Sequence, residues 1–349
     1  MSNQINFKPN PLFPEMTLFL GNGFDLSLGL HTKYTEFFEH KDINGLKDFW
    51  PTQDTISEED QLYKRLNEGN LFGHNQLATP TWYDLENELK QHAKRNSPSG
   101  IRHVVQYHDS IKPDQYYFER IKNGLTHYLK YEVERWGEYD HMKAKSSAAF
   151  NLMYQVCVKA KAEPNIITFN YTDIQSLMSK CGGDVLNKIE IPRDRIQHVH
   201  GSLLNEHIIL GTDEDKEIPQ EYDFLFKSWD DYYGSHQVID TLKSSEIIIF
   251  FGLSFGSIDS VYFVDFFKSI IRGAYDDKKH IVICTYNEQS MRDIYRQFFV
   301  MGISIMELKA HCDFHIMLTN PDNPQSPNKF NQDTLGSWLR EWNDITINV

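Results

Sequence analysis

From Pro164 onward, short apolar segments alternate with segments of helical periodicity, and this alternation limits the fold more than any other feature of the chain. Apolar segments of this length, bounded by turn residues, are typical of strands that are buried on both faces. Strands that alternate with helices form parallel sheets covered by helices. The strands predicted here are 166–169, 196–199, 207–210, 247–251, 281–285 and 303–308.

An earlier apolar segment, Met16 to Leu20, extends this pattern toward the N-terminus. It stops at Gly21-Asn22-Gly23, as a buried strand does when it ends in a tight loop. Apolar residues at helical spacing then predict a helix that starts near Thr32. We therefore predict one Rossmann-like α/β domain with a parallel sheet, formed by residues 1–40 and 162–349.

Residues 41–161 differ in character from the segments on either side. They contain few runs of β-branched residues and many helix formers, with apolar residues at helical spacing. The clearest predicted helices cover 82–89 and 116–136. We predict that this region is a large helical insertion in the Rossmann-like domain.

Composition narrows the class of protein. Hydrophobic residues make up 40% of the chain and aromatic residues 13%, enough for a sizeable packed core. No segment approaches the apolar length of a membrane span, and the first residues do not resemble a signal peptide. The four cysteines form no CxxC pair, which indicates reduced thiols and no zinc ribbon. We expect a cytoplasmic protein without a membrane partner.

The charge balance argues against a nucleic-acid partner. The formal net charge is −14, whereas proteins that grip nucleic acid carry a basic face. Lys90, Lys94, Arg95 and Arg102 could form a local basic patch. The solvated end of a helix is the simpler interpretation of these residues.

Four polar clusters follow predicted strands, and open parallel sheets bind their ligands beyond the carboxyl ends of the strands. The first cluster contains Gly21, Asn22, Gly23 and Asp25, with Gly29 further on. Glycine lets the backbone approach a phosphate closely, and a following helix supplies N–H donors. The pattern is neither GxGxxG nor a P-loop. On its own, a tight turn between strand and helix is the simpler interpretation.

The second and third clusters contain the candidate reactive side chains. Asn170 follows a predicted strand, with Asp173 nearby, and its amide can donate to and accept from a sugar hydroxyl. An Asx turn or a helix cap is the alternative. His200, followed by Gly201, suits a general base because histidine titrates near neutral pH. His198 and His200 could also share a metal, although no third ligand is evident, and a structural histidine is the alternative for each.

The fourth cluster contains Gly252, Ser254, Ser257 and Asp259 after the strand 247–251. Small residues keep the backbone open here, and the hydroxyl and carboxyl groups can hydrogen-bond ribose or phosphate. The alternative is a serine-rich cap for the next helix.

A further group, His311, Cys312 and His315, resembles a metal-ligand cluster by composition alone. Metal sites built from such residues need a partner cluster, and the sequence has none at suitable spacing. We predict that these residues are structural and that the protein binds no metal.

Taken together, the polar clusters resemble the AbiH family of bacterial abortive-infection proteins. The matching segments are 21–38, 82–89, 167–173, 198–203 and 250–263, in the same order and across most of the chain. The most specific of them is the first, GNGFDLSLGLHTKYTEFF. The resemblance implies a role in defence against phage.

The same clusters resemble, more distantly, the sirtuin-like NAD-binding superfamily. Gly21–Gly23 falls at its GAG phosphate loop, Thr168–Asn170 at its T-x-N motif, His200-Gly201 at its catalytic HG and Gly252–Ser254 at its GTS-like loop. This resemblance implies a Rossmann-like sheet, NAD as ligand or substrate, and cleavage of the bond between nicotinamide and ribose.

Departures from the sirtuin-like pattern argue against protein deacylation. The chain reads Leu30-His31-Thr32-Lys33-Tyr34 where a deacylating sirtuin has an Asp-Phe-Arg run. Thr172 stands where an acidic residue follows the motif asparagine, and the paired CxxC zinc motif is missing.

Our leading hypothesis is an NAD glycohydrolase of phage defence with Asn170 and His200 as catalytic residues. It needs no metal, because the nicotinamide ring is already cationic before it leaves. The residues predicted to bind the nucleotide are Gly21, Asn22, Gly23, Asp25, Gly29, Thr32, Asp173, Gly201, Gly252, Ser254 and Asp259. We expect Gly21, Asn22, Asn170, His200 and Ser254 to line one cleft.

The alternative is a non-catalytic module that binds a nucleotide and switches a partner or an oligomer. Both hypotheses leave room for a phage-derived trigger and for a homo-oligomer. A nuclease is disfavoured by the charge of −14 and by the lack of a carboxylate metal cluster. Release of nicotinamide from NAD distinguishes the first two hypotheses.

Overall fold

The computed structural model describes residues 15–39, 82–95, 107–182, 189, 191–256, 259–275, 279–331, 335–336 and 338–339. The chain divides into two compact units. The first unit contains residues 1–30, 135–199 and 234–349, and the second contains residues 31–134 and 200–233. The domain boundaries predicted from the sequence stay a prediction.

The strands and helices are numbered in chain order. The strands are β1 (Met16–Leu20), β2 (Asn165–Thr168), β3 (Ile196–His198), β4 (Gly201–Ser202), β5 (His207–Ile208), β6 (Ile247–Phe251), β7 (His280–Thr285) and β8 (Asp313–Leu318). The α-helices are α1 (Asn22–Ser27), α2 (Tyr34–Glu39), α3 (Trp82–Arg95), α4 (Tyr107–Tyr139), α5 (Ala148–Met153), α6 (Ile174–Gly182), α7 (Ser235–Ser244), α8 (Val264–Ile271), α9 (Glu288–Val300) and α10 (Ile305–His311).

A six-stranded sheet forms the centre of the first unit, in the order β3-β2-β1-β6-β7-β8. Every neighbouring pair in it is parallel. The predicted Rossmann-like α/β fold is thereby confirmed. If the hairpin strands β4 and β5 are left out, the sheet has the 3-2-1-4-5-6 order of dinucleotide-binding folds, in which the chain reverses direction across the sheet between β1 and β6. Ligands of such sheets bind at this point of reversal.

The central strands form because their side chains can be buried on both faces of the sheet. All residues of β1, β2 and β6 are buried. Beside β1 and β6, phenylalanines pack ring against ring: Phe19 lies 5.1 Å from Phe250, and Phe250 lies 5.2 Å from Phe255, measured between ring centroids. Burying each such side chain contributes about 1.5–3 kcal/mol, so this cluster fixes the two strands that border the reversal.

The strand predicted at 303–308 is wrong, because a helix begins there. Ser304 caps α10, and its hydroxyl accepts a hydrogen bond from the backbone N–H of Glu307 at 3.3 Å. A serine followed three residues later by glutamate is the capping-box pattern, and here it prevails over the short apolar alternation. The last strand of the sheet is β8 instead, which the sequence analysis did not predict.

The strand predicted at 207–210 lies outside the parallel sheet. Only His207 and Ile208 form a strand, and this strand, β5, pairs antiparallel with β4 in the second unit. The segment is too short to span a sheet, and it returns beside the residues that precede it.

The second unit is mainly helical where it is described. It contains α2, α3, residues 107–134 of α4 and 3₁₀ helices within 203–229. The helices predicted at 82–89 and 116–136 are present and extend to the bounds of α3 and α4, because helix-forming residues continue beyond the predicted ends. In the described part of the chain, no helix is both long and apolar enough to cross a bilayer.

Candidate functional site

Two loops meet where the strand order reverses. Leu20, the last residue of β1, is in register with Phe251, the last residue of β6. Beyond these residues, the N–H of Gly21 donates to the carbonyl of Phe251 at 2.9 Å, and the N–H of Gly23 donates to the carbonyl of Gly252 at 3.0 Å. The loops after β1 and β6 therefore bind each other through their backbones.

Glycine is required in this contact. Gly252 has a φ of 67°, and a Cβ atom on it would collide with the backbone of Gly23. A Cβ atom on Gly23 would in turn lie 2.5 Å from the Cα of Gly252. The N–H groups of Gly21 and Gly23 are already used within the protein. A ligand that approaches this edge therefore does not bind those two donors.

A buried polar cluster lies directly beside this edge. Asp25 on α1 accepts one hydrogen bond from the Nδ2 of Asn170 and one from the Oγ1 of Thr172, each at 2.8 Å. The Nδ2 of Asn170 also donates to the carbonyl of Gly21 at 3.1 Å. The side chains of Asp25, Asn170 and Thr172 come from α1 and from the loop after β2, and all three are buried. We call Asp25, Asn170 and Thr172 the edge cluster.

Burial makes the carboxyl group of Asp25 a weak acid. Loss of hydration raises its pKa to about 7, although the hydrogen bonds from Thr172 and Asn170 oppose this shift. The ordinary pKa of an aspartate is about 3.9. A carboxyl group with a pKa near 7 exchanges its proton in the range where enzymes work.

The remaining groups around Asn170 hold its backbone in place. The N–H of Asn170 donates to the Oγ1 of Thr168 at 3.1 Å, and its carbonyl lies 3.0 Å from the Nδ1 of His198. Because a carbonyl can only accept, His198 carries its proton on Nδ1. Asp173 lies 3.2 Å from the guanidinium of Arg193. Its carboxylate therefore has a partner within the protein.

The other predicted nucleotide-binding residues of the first unit lie at the two ends of α1 and in the segment after β6. Asn22 is the first residue of α1, and Gly29 follows the end of that helix. Ser254 is exposed, and its hydroxyl accepts from the N–H of Gly256 at 3.3 Å. Asp259 begins a 3₁₀ helix, while Ser257 lies outside the described residues.

His200, Gly201 and Thr32 belong to the second unit. His200 is buried and stacks on Tyr233, with ring centroids 6.2 Å apart. Loss of hydration and the nearby charge of Lys227 lower the pKa of His200 well below its ordinary value. The imidazole is therefore neutral at neutral pH and a weaker base than an exposed histidine. The expectation that His200 lines one cleft with Gly21 and Asn170 stays a prediction.

Comparison with known protein families shows to which family the chain belongs. The family model described as "Bacteriophage abortive infection AbiH" matches residues 18–277. The chain belongs to the AbiH family. A search of curated proteins finds no match. The matched range contains the edge cluster and the loops after β1 and β6. Membership of the family supports a role in abortive infection, a defence against phage.

The histidines and the cysteine near the end of this AbiH protein have partners within the chain. The Sγ of Cys312 lies 3.1 Å from the carbonyl of Leu308. His315 and His280 both pair with Asp313, at 2.7 and 3.0 Å. No group of three or more potential metal ligands is found among the residues that the structure describes. The absence of a bound metal stays a prediction.

Acidic side chains pair with two residues of the candidate basic patch. The Nζ of Lys94 lies 2.5 Å from Glu217 and 2.8 Å from Asp215, which also pairs with Lys90 at 2.9 Å. The side chain of Arg95 and the whole of Arg102 lie outside the described residues. These pairs reduce the positive potential that a nucleic-acid backbone would require.

Proposed function

We propose that this AbiH protein binds NAD beyond the carboxyl ends of β1 and β6 and hydrolyses the bond between nicotinamide and ribose. The observation that carries the proposal is the position of the edge cluster. It lies beyond the carboxyl ends of β1 and β2, next to the strand-order reversal at which dinucleotides bind in folds of this order. The resemblance of the motifs to sirtuin-like NAD-binding proteins supports the choice of nucleotide.

The proposed reaction consumes water and yields nicotinamide and ADP-ribose. The C1′–N bond breaks, and its electron pair neutralises the pyridinium nitrogen of the departing ring. Water attacks C1′ and loses a proton to His200, the proposed general base, which burial keeps neutral at neutral pH. Asn170 orients a ribose hydroxyl or the attacking water. Gly21, Gly23 and Gly252 let the loops after β1 and β6 pack closely against each other, beside the proposed nucleotide site.

The test is nicotinamide release by the purified protein, measured together with nucleotide affinity. His200→Ala should lower turnover by about 10²–10⁴, the usual effect of losing a general base. Asn170→Ala should lower it by about 10²–10³, the usual effect of losing a fixed dipole at the reacting centre. His311→Ala and Asn323→Ala, both at exposed positions, are matched controls that should leave turnover unchanged.

Each outcome has a defined meaning. Nicotinamide release that depends on both Asn170 and His200 supports the glycohydrolase. Binding without turnover, with and without a phage-derived trigger, supports the non-catalytic nucleotide module instead. Full turnover in His200→Ala would mean that a different group takes the proton.

A further inference from the structure

We propose that Asp25 is a positioning residue that fixes the side-chain amide of Asn170, so that the amide presents its oxygen to the ligand. The inference rests on the proposed function for the identity of the ligand. It assigns Asp25 a role through Asn170 in place of direct contact with the nucleotide. It also specifies the chemical group that Asn170 can receive.

The two hydrogens of the Asn170 amide have two acceptors. The carbonyl of Gly21 lies 3.1 Å from Nδ2, and the Oδ1 of Asp25 lies 2.8 Å from it. A backbone carbonyl can never donate, so the nitrogen and not the oxygen of the amide must face Gly21. A flip of the amide by half a turn would place its oxygen against both acceptors. Asp25 and Gly21 together exclude that orientation.

The carboxyl group of Asp25 is itself held in place. Thr172 donates to its Oδ2 at 2.8 Å, while Asn170 occupies Oδ1. Asp25 is only 1% exposed, so it is poorly placed to touch a ligand directly. Its influence on a bound molecule therefore passes through Asn170.

The fixed orientation determines what binds at Asn170. An amide oxygen accepts hydrogen bonds, so its partner must be a donor such as a ribose hydroxyl or a water molecule. A phosphate oxygen carries only lone pairs toward such a contact and is repelled by it and by an ionised Asp25. We infer that the amide of Asn170 binds the ribose or the attacking water, and that the phosphates lie elsewhere along the edge.

The test compares two substitutions at Asp25. Asp25→Leu has a similar size but no acceptor, whereas Asp25→Asn retains an oxygen for the amide of Asn170. We expect Asp25→Leu to lower kcat by about tenfold or more, the equivalent of one lost hydrogen bond, with a smaller change in KM. Asp25→Asn should recover most of the loss. A purely structural role would instead lower the folded fraction and leave kcat per folded molecule unchanged.

A second measurement needs no nucleotide. With asparagine labelled with ¹⁵N, the side-chain signals of Asn170 are identified by their loss in Asn170→Ala. Their hydrogen exchange should be at least about tenfold slower than that of the exposed Asn323, because both hydrogens are bonded and buried. The protection should fall in Asp25→Leu and persist in Asp25→Asn.

The two measurements separate this inference from the proposed function. Wild-type protein that releases no nicotinamide, but whose Asn170 protection depends on residue 25, contradicts the glycohydrolase and supports the positioning role. Rapid exchange of the Asn170 amide in the wild type overturns the positioning role, even if Asp25→Leu fails to fold. Unchanged protection and kcat in a folded Asp25→Leu variant overturn it as well.

Discussion

At the scale of single residues, the buried carboxyl group of Asp25 links stability to pH. Its pKa is raised to about 7 in the folded protein, against about 3.9 in an unfolded chain. Between these values the folded state holds a proton that the unfolded state has lost. The contribution of Asp25 to stability is therefore fully present below pH 4 and is lost as the pH rises toward 7.

The substitution Asp25→Asn tests this linkage, because it keeps the shape of the side chain and removes its ionisation. We expect the variant to be more stable than the wild type at pH 8, by up to about 4 kcal/mol, and this advantage to shrink as the pH falls from 7 to 4. Urea unfolding at pH 5 and pH 8 measures the difference. A wild-type protein that gains stability relative to the variant as the pH rises would contradict the raised pKa.

Gly252 and Gly273 separate the steric and the conformational need for glycine. Both have a positive φ, 67° and 68°, but a Cβ atom would collide with Gly23 only from Gly252. Gly273→Ala should cost about 1–2 kcal/mol, because an L-residue is strained in this conformation. Gly252→Ala should cost clearly more, because the loops after β1 and β6 must also separate. Equal losses in thermal unfolding would show that the two loops are not closely packed.

The sequence predicted two members of the edge cluster, Asp25 and Asn170, but not the third, Thr172. Asn170 and Asp25 follow predicted strands, and this position identifies them as candidates. In the sequence, Thr172 is only a departure from a motif, since nothing local shows that its hydroxyl reaches Asp25 across 147 positions of the chain. For Gly21 and Gly23 the sequence pattern leaves open a phosphate loop or a tight turn, and it does not show that their N–H groups bond to the loop after β6. Such pairings depend on strand order, which a single sequence does not contain.

At the scale of secondary-structure elements, a helix cap decides the structure near the C-terminus. The Oγ of Ser304 accepts the N–H of Glu307, which starts α10 where the apolar alternation predicted a strand. Ser304→Ala should cost about 1 kcal/mol, whereas Ser304→Asp should retain most of the stability, because aspartate also caps helices well. Thermal unfolding of both variants measures this. Equal destabilisation by alanine and aspartate would contradict the cap.

Burial on both faces explains which strands the sequence could predict. β1, β2 and β6 are entirely buried and consist mainly of β-branched and aromatic residues, which favour strands. In β8, by contrast, Asp313 and His315 interrupt the apolar pattern, and both are partly exposed members of one ion-pair group. The sequence does not predict β8 because its polar residues resemble a separate cluster.

At the scale of the whole molecule, the net charge of −14 does not show how the individual charged side chains are paired. In the second unit, the Nζ of Lys227 lies 2.8 Å from Oε1 and 2.9 Å from Oε2 of Glu86. The side chain of Lys227 is 0% exposed and that of Glu86 is 10% exposed. Lys94 and Glu217 form a contrasting pair, in which the glutamate side chain is 74% exposed.

The buried pair should behave very differently from the exposed pair when one partner is removed. Lys227→Met leaves the carboxylate of Glu86 buried without its counter-charge, so we expect a loss of about 3–5 kcal/mol in chemical unfolding. Replacing both partners, as Lys227→Met with Glu86→Leu, should recover most of this loss, because no charge then remains to be desolvated. Lys94→Met, the control at the exposed pair, should cost no more than about 1 kcal/mol. A double variant less stable than Lys227→Met would show that the pair stabilises the unit beyond satisfying its own buried charges.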